Sequence, residues 1–472
     1  MWFNSWEFFL FLPAVLAVYY VLTRRAQNIW LIAASYFFYG WWDWRFLSLI
    51  ILSTTVDYLV SHYIARSQVE AQKKLGLYLS LSLNLGLLAT FKYFNFFVDN
   101  FIALGATIGL DFDTPVLRLL PPVGISFYTF QTLSYTIDVY RGRQRPADSY
   151  IDFALFVTYF PQLVAGPIER ASKLLPQIES KRHVSVWMIQ TGVFLILIGL
   201  FKKVVIADTA GVRVDKIFAD PAAMSSLDLW RGMILFSLQI YGDFSGYSNI
   251  ARGVSRLFGI ELSENFLTPY FSKSITEFWR RWHVSLSAWL RDYLYIPLGG
   301  NRKGTVNTYR NLMLTMLIGG FWHGASWAFI VWGGFHGAYL AIHKFWLESN
   351  WHLKSGQSGV IRRTVFNWLK ILLVFHLVSF TWIFFRASDF ASALDYISGL
   401  FSFRGDFNFR SIAVPAILLM VLFPIEWMQY RKDDLMNFLS LPSLIRGVMY
   451  AGMFVSIILL SGNEVPFIYF QF

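Results

Sequence analysis

Asn311-Leu-Met-Leu-Thr-Met-Leu-Ile-Gly-Gly-Phe-Trp-His323-Gly-Ala-Ser-Trp-Ala-Phe-Ile-Val-Trp-Gly-Gly-Phe-His336-Gly-Ala-Tyr-Leu-Ala-Ile-His343 is a run of 33 residues without Asp, Glu, Lys or Arg. A helix rises about 1.5 Å per residue and the hydrocarbon core of a bilayer is about 30 Å thick, so about 20 apolar residues cross once. The run therefore reads as two short crossings. Uncharged runs recur at 8–23, 26–42, 75–91, 119–137, 184–201, 371–385, 411–425 and 447–463. Two weaker segments, 46–63 and 229–250, contain Asp57 and Asp243. The expected fold is an all-α polytopic membrane protein of about 11–12 transmembrane helices with re-entrant or interfacial pieces. Residues 1–472 read as a single domain closed by an aromatic tail, 464–472.

Composition leads to the same class. Hydrophobic residues make up 56% of the chain and charged residues 15%, where soluble domains carry about 25% charged. A soluble globule could not hide that much apolar surface. Cysteine is absent, which excludes disulfides, cysteine nucleophiles and thiolate metal sites. Three scattered histidines are not a metal-ligand pattern, so no metal is expected. The net charge of +11 fits basic cytoplasmic loops beside a bilayer, and no nucleic-acid partner is expected. Arg24 and Arg25 follow the first run, which is read as a retained helix, and the loop 66–74 is again basic. Both ends of the chain are therefore expected outside. Residues 153–168 break the alternation, and Pro161, Gly166 and Pro167 suggest a re-entrant or interfacial piece.

Ionisable groups at membrane depth are costly, so they are usually paired, hydrated or functional. His323 is the clearest case. His336 follows it by 13 residues, roughly 220° around a straight helix, so the two would not share a face. The neighbouring glycines make one straight helix doubtful. His336 and His343 are read as neutral, hydrogen-bonded histidines, His343 as a marker of the interface. Glu277-Phe-Trp-Arg-Arg-Trp-His283 and the segment that follows it to Lys303 are amphipathic and aromatic. They suit an interfacial helix, or the wall of a wet cavity where Arg280, Arg281 and Arg291 bind the phosphates of a donor. Tyr241-Gly-Asp-Phe-Ser-Gly-Tyr-Ser-Asn249 puts Asp243, Ser245 and Tyr247 among apolar residues and two glycines, as in a broken helix lining a cavity or a polar helix–helix contact.

Together with Pro122-Val-Gly-Ile-Ser-Phe-Tyr-Thr-Phe-Gln131, Ala165-Gly-Pro-Ile168, Asp243-Phe-Ser-Gly-Tyr-Ser248, Tyr295-Ile-Pro-Leu-Gly-Gly-Asn-Arg302, Trp322-His-Gly-Ala325 and the ending Pro466-Phe-Ile-Tyr-Phe-Gln-Phe472, these segments resemble the membrane-bound O-acyltransferase family. The resemblance runs in family order over most of the chain and is closer to the bacterial alginate O-acetylation branch than to D-alanyl-teichoic acid transfer. Gln162 stands where a His is common in the family, and Asn249 where an Asp is common. The resemblance implies helices around a central funnel or tunnel, and acyl transfer from a thioester to a hydroxyl. It puts the family's catalytic histidine on His323 and its second histidine on His283, with Trp322 and Asn301 in the motifs around the cavity.

An activated thioester needs a base for the acceptor hydroxyl and a site that excludes water. Histidine, with a pKa of about 6.5, serves the first need and an apolar bundle the second. The expected roles are His323 as general base, His283 holding donor or oxyanion, and Asp243, Ser245 or Tyr247 orienting the base. No cofactor is expected to stay bound; acetyl-CoA or an acyl-carrier thioester is the donor substrate. Tyr469 is, by resemblance, an acyl acceptor in the tail; by composition it is an interfacial anchor. The implied setting is the bacterial inner (cytoplasmic) membrane, with an SGNH-type periplasmic acetyltransferase as partner and a polysaccharide such as alginate as final acceptor. Composition alone also fits a transporter of polysaccharide or lipid-linked sugar, or a passive scaffold of an acetylation complex.

Overall fold

The computed structural model describes the chain except residues 111, 113–117, 350–359, 406–411, 463–464 and 469–472. Among the described residues every regular element is helical. Six helical stretches are long and apolar enough to cross a membrane: Arg24–Arg66, Glu70–Thr107, Val186–Ala219, Arg362–Arg386, Ala413–Lys432 and Ser443–Leu460. Trp6–Val21 and Phe390–Phe401 are shorter and apolar. Further helices of the expected set are shorter or carry more polar residues, so length and hydropathy alone do not count them. Large apolar side chains face outward, among them Trp6 at 83% exposure and Leu444 at 79%. A lipid surround, in which exposed apolar surface carries no penalty, accounts for this.

The chain divides into two compact units, Met1–Ile196 with Asn249–Ser263, and Leu197–Ser248 with Glu264–Phe472. In the first unit, Asp57 on Leu47–Arg66 is fully buried. It accepts hydrogen bonds from Ser80, from Asn84 Nδ2 at 2.8 Å and from Thr136 Oγ1 at 3.3 Å. One carboxylate thus ties together three helices, Leu47–Arg66, Glu70–Leu88 and Ile125–Tyr140. The segment read as re-entrant is two short helices, Tyr150–Thr158 and Phe160–Leu163, joined at Tyr159 and buried from Asp152 onward. Gln131 and Gln162 both donate to the Phe156 carbonyl, at 2.6 and 2.8 Å, where the chain changes direction.

In the second unit the 33-residue run is two helices, Thr305–His323 and Trp327–Glu348. Gly324 is extended, and Ser326 caps the second helix by accepting from Ala328 N at 3.1 Å. The backbones of the pair touch: a Cβ at Gly320 would lie 2.3 Å from Phe329 O, and one at Gly333 2.2 Å from Met316 O. Glycine at these positions permits the tight antiparallel packing that membrane helices use in place of hydrophobic burial.

Candidate active site

All geometry of this site lies in the second unit. His323 is the last residue of Thr305–His323 and is 7% exposed. Three rings frame its imidazole: Trp322 at 4.9 Å, Trp332 at 5.1 Å and Phe385 at 5.3 Å between centroids. Trp322 also lies 6.4 Å from the ring of His283, so one indole neighbours both histidines.

His283 stands between the short helices Ile275–Arg281 and Val284–Leu290. Its φ of +43° is in the left-handed region, which costs a residue with a Cβ about 1–2 kcal/mol. Asn265 offsets that cost. Its Oδ1 accepts from Ser285 N at 3.3 Å and Ser285 Oγ at 2.9 Å, and lies 3.1 Å from His283 Nδ1. The Ser285 amide can only donate, so this atom of Asn265 is the oxygen and His283 Nδ1 carries the proton. The lone pair of His283 is therefore on Nε2. The ring of Phe244 packs edge-on at 4.7 Å.

The segment 241–249 was expected to break. It does not: Ser226–Leu257 is one continuous helix. The distortion lies on its neighbour, a π-helical turn at Phe201–Asp208. Gly242 and Gly246 are contact points on that side; a Cβ there would lie 2.9 Å from Lys202 O and 2.7 Å from Gly199 O. The wide turn brings Lys202 and Lys203 into the core. Lys202 pairs with Glu426 at 2.7 Å, and Tyr241 Oη donates to the other oxygen of Glu426 at 2.6 Å. Lys203 Nζ meets Asp208 at 2.7 Å, Asp243 at 2.8 Å and the Val465 carbonyl at 2.7 Å, which uses its three N–H groups. Removing one partner of such a buried pair costs about 3–5 kcal/mol.

Asp243 is engaged by Lys203 and by the C-terminal segment. One of its oxygens takes Lys203, and the other accepts from Ile468 N at 2.6 Å. Tyr247 stacks on Phe467 at 4.8 Å, and Ser245 is buried on the same helix. Together these residues seat the chain at 465–468. Tyr469 lies outside the described residues. The polar cluster is also what the sequence reading missed: Lys202 and Lys203 end an apolar run and read as loop charge, and nothing local announces a π-helical turn.

A cavity of about 550 Å³ is lined by Arg280, Arg291, Asn301, Lys344, His343 and Trp279, among others. It holds two of the three expected arginines. The third, Arg281, is not among its lining residues; it bonds Glu277 at 3.0 Å and Asp433 at 3.3 Å and lies over the Tyr430 ring. Within the cavity Arg291 pairs with Asp292, and Arg280 is exposed. Asn301 meets the Tyr295 hydroxyl. Trp279, on the wall of this cavity, packs edge-on against Trp332 at 5.8 Å, and Trp332 is one of the rings around His323. His343 lies 2.9 Å from Thr276 Oγ1. His336 is hydrogen-bonded, as expected, but to side chains: Trp279 Nε1 donates to its Nδ1 at 3.2 Å, and its Nε2 lies 3.0 Å from Thr381 Oγ1. No cluster of metal-ligating side chains occurs among the described residues.

Known proteins bear on this arrangement. The sequence model of the membrane-bound O-acyltransferase family matches residues 36–385. The probable alginate O-acetylase of Pseudomonas putida is 43% identical over 406 residues, which is 86% of this chain and 80% of that protein. The peptidoglycan O-acetyltransferase of Helicobacter pylori is 39% identical over 431 residues, covering 84% of this chain and 79% of that protein. The teichoic acid D-alanyltransferase of Streptococcus thermophilus is 31% identical over 245 residues, 49% of this chain and 58% of that protein. The all-helical structure with its apolar membrane-length helices and these similarities converge: the chain is a multi-pass membrane protein of the membrane-bound O-acyltransferase family.

Proposed function

We propose that this O-acyltransferase moves an acetyl group from a cytoplasmic thioester, acetyl-CoA or an acyl-carrier thioester, to a hydroxyl, for O-acetylation of an extracytoplasmic polysaccharide such as alginate. The observation that carries the reading is the setting of His323 among three aromatic rings, one of which, Trp322, also neighbours His283. In this reading the His323 imidazole takes the proton of the acceptor hydroxyl as its oxygen attacks the thioester carbonyl. A C–O bond forms, the tetrahedral intermediate collapses, the C–S bond breaks, and the imidazolium returns the proton to the leaving thiolate. The aromatic frame excludes water, which would otherwise hydrolyse the thioester. His283, with its proton held on Nδ1 by Asn265, holds the donor. Arg280 and Arg291 bind the donor phosphates in the 550 Å³ cavity.

On the far side the acceptor is the tail tyrosine, Tyr469, which follows the seated segment 465–468 and passes the acyl group to an SGNH-type periplasmic acetyltransferase. The protein would then reside in the bacterial inner membrane. The deciding experiment is transfer by purified protein from acetyl-CoA. His323→Ala is expected to lose transfer while remaining folded; normal transfer by that variant removes the general-base assignment. Full activity of a folded Tyr469→Phe variant removes the acyl-tyrosine step.

A further inference from the structure

We infer that Lys203, with Asp208 and Asp243, is a latch for the C-terminal strap 465–468, and that the seated strap positions the His283 side of the site. This rests on the acyl-transfer reading above. Four observations carry it. Lys203 Nζ reaches the Val465 carbonyl at 2.7 Å while paired to both carboxylates. Asp243 accepts the Ile468 amide at 2.6 Å. The strap is thus held by its main chain at two points three residues apart. Between them Phe467, 3% exposed, lies on Tyr247 at 4.8 Å and near Phe244 at 6.2 Å. Phe244 in turn packs edge-on against His283.

The rings run from strap to histidine as Phe467, Phe244, His283 and Trp322, and Trp322 is the indole that also frames His323. A main-chain grip recognises an extended segment whatever its side chains, and leaves Phe467 to fill the wall. Lys203 is a positioning residue in this scheme: it touches neither donor nor acceptor and acts through the strap. None of the strap residues lines the cavity of Arg280 and Arg291, so the latch acts on the donor only through His283.

The chain contains no cysteine, so a single introduced one reports burial directly. Ile468→Cys keeps the amide that Asp243 accepts and is expected to react slowly with a membrane-permeant maleimide. Adding Lys203→Met is expected to speed that reaction at least about tenfold. Without the reporter, Lys203→Met is expected to lower kcat/KM for the donor at least about tenfold, and Lys203→Arg to restore both protection and most of kcat/KM. Should Lys203→Met fail to fold, Ile468→Pro carries the test. It deletes the amide donor and leaves the ion pairs intact, and a Val465→Cys reporter reads the release of the strap. Unchanged labelling in the variant that folds overturns the latch, and a released strap with unchanged kcat/KM overturns the positioning role. Labelling as expected in a protein whose unaltered form transfers no acyl group breaks the acyl-transfer reading and leaves the latch standing.

Discussion

His323 and His336 come from the same uncharged run and are both buried, yet the second unit treats them differently. Trp279 Nε1 can only donate, so His336 Nδ1 is the accepting nitrogen and Nε2 carries the proton toward Thr381. Both nitrogens of His336 are spent on neighbours within the bundle. His323 sits at a helix end, framed by the faces and edges of three rings. The contrast teaches that burial alone does not distinguish the proposed base from a structural histidine. What separates the two is position: His336 lies inside a helix between Trp279 and Thr381, and His323 lies at a helix end among three rings.

Breaking the contrast at the proposed base is expected to give the largest effect. His323→Ala is expected to lower transfer by about 10²–10⁴-fold, the usual worth of a positioned general base, with little change in thermal stability. Rate assays and a thermal melt in detergent check it together; a His323→Ala protein that melts early but transfers normally would invert the assignment. His336→Ala tests the other end. It leaves the Trp279 donor buried without its acceptor and is expected to cost about 1–3 kcal/mol of stability, with kcat of the folded fraction little changed.

Two adjacent arginines differ in surroundings as well: Arg281 is bonded to Glu277 and Asp433, and Arg280 is exposed on the cavity wall. Arg280→Ala is expected to raise the donor KM by about tenfold, the loss of one charge-assisted contact to phosphate. Arg281→Ala, which removes the bonds to Glu277 and Asp433, is expected to leave KM alone. Equal KM shifts in the two variants would remove the cavity from donor binding. The smallest effect is expected from Thr381→Val, which takes away one hydrogen bond of His336 and is expected to cost about 0.5–1.5 kcal/mol in a denaturation experiment, with no change in rate.

Much of this was legible in the residues because two signals are local. Twenty apolar residues in a row answer to the thickness of a bilayer, and a histidine among 33 uncharged residues stands out wherever the chain goes. The glycines around 319–337 likewise showed that one straight helix was improbable, and the chain does break at 324–326. The glycines of 241–249 misled for the same reason. Gly242 and Gly246 carry no bend; they leave room for the backbone of 199–202. Sequence shows that a glycine is small, not whether smallness serves a break or a contact.

The sequence by itself determined the helical membrane class, the family motifs and the histidine that stands out in its run. Hydropathy and residue identity are properties of single positions and short windows. Only the tertiary structure decided what each polar group faces: Lys203 against Asp208, Asp243 and the Val465 carbonyl, Lys202 against Glu426, and Asn265 under His283. These partners lie up to 262 residues apart in the chain, and a hydrogen bond or ion pair acts over only about 3 Å, so no local pattern encodes them.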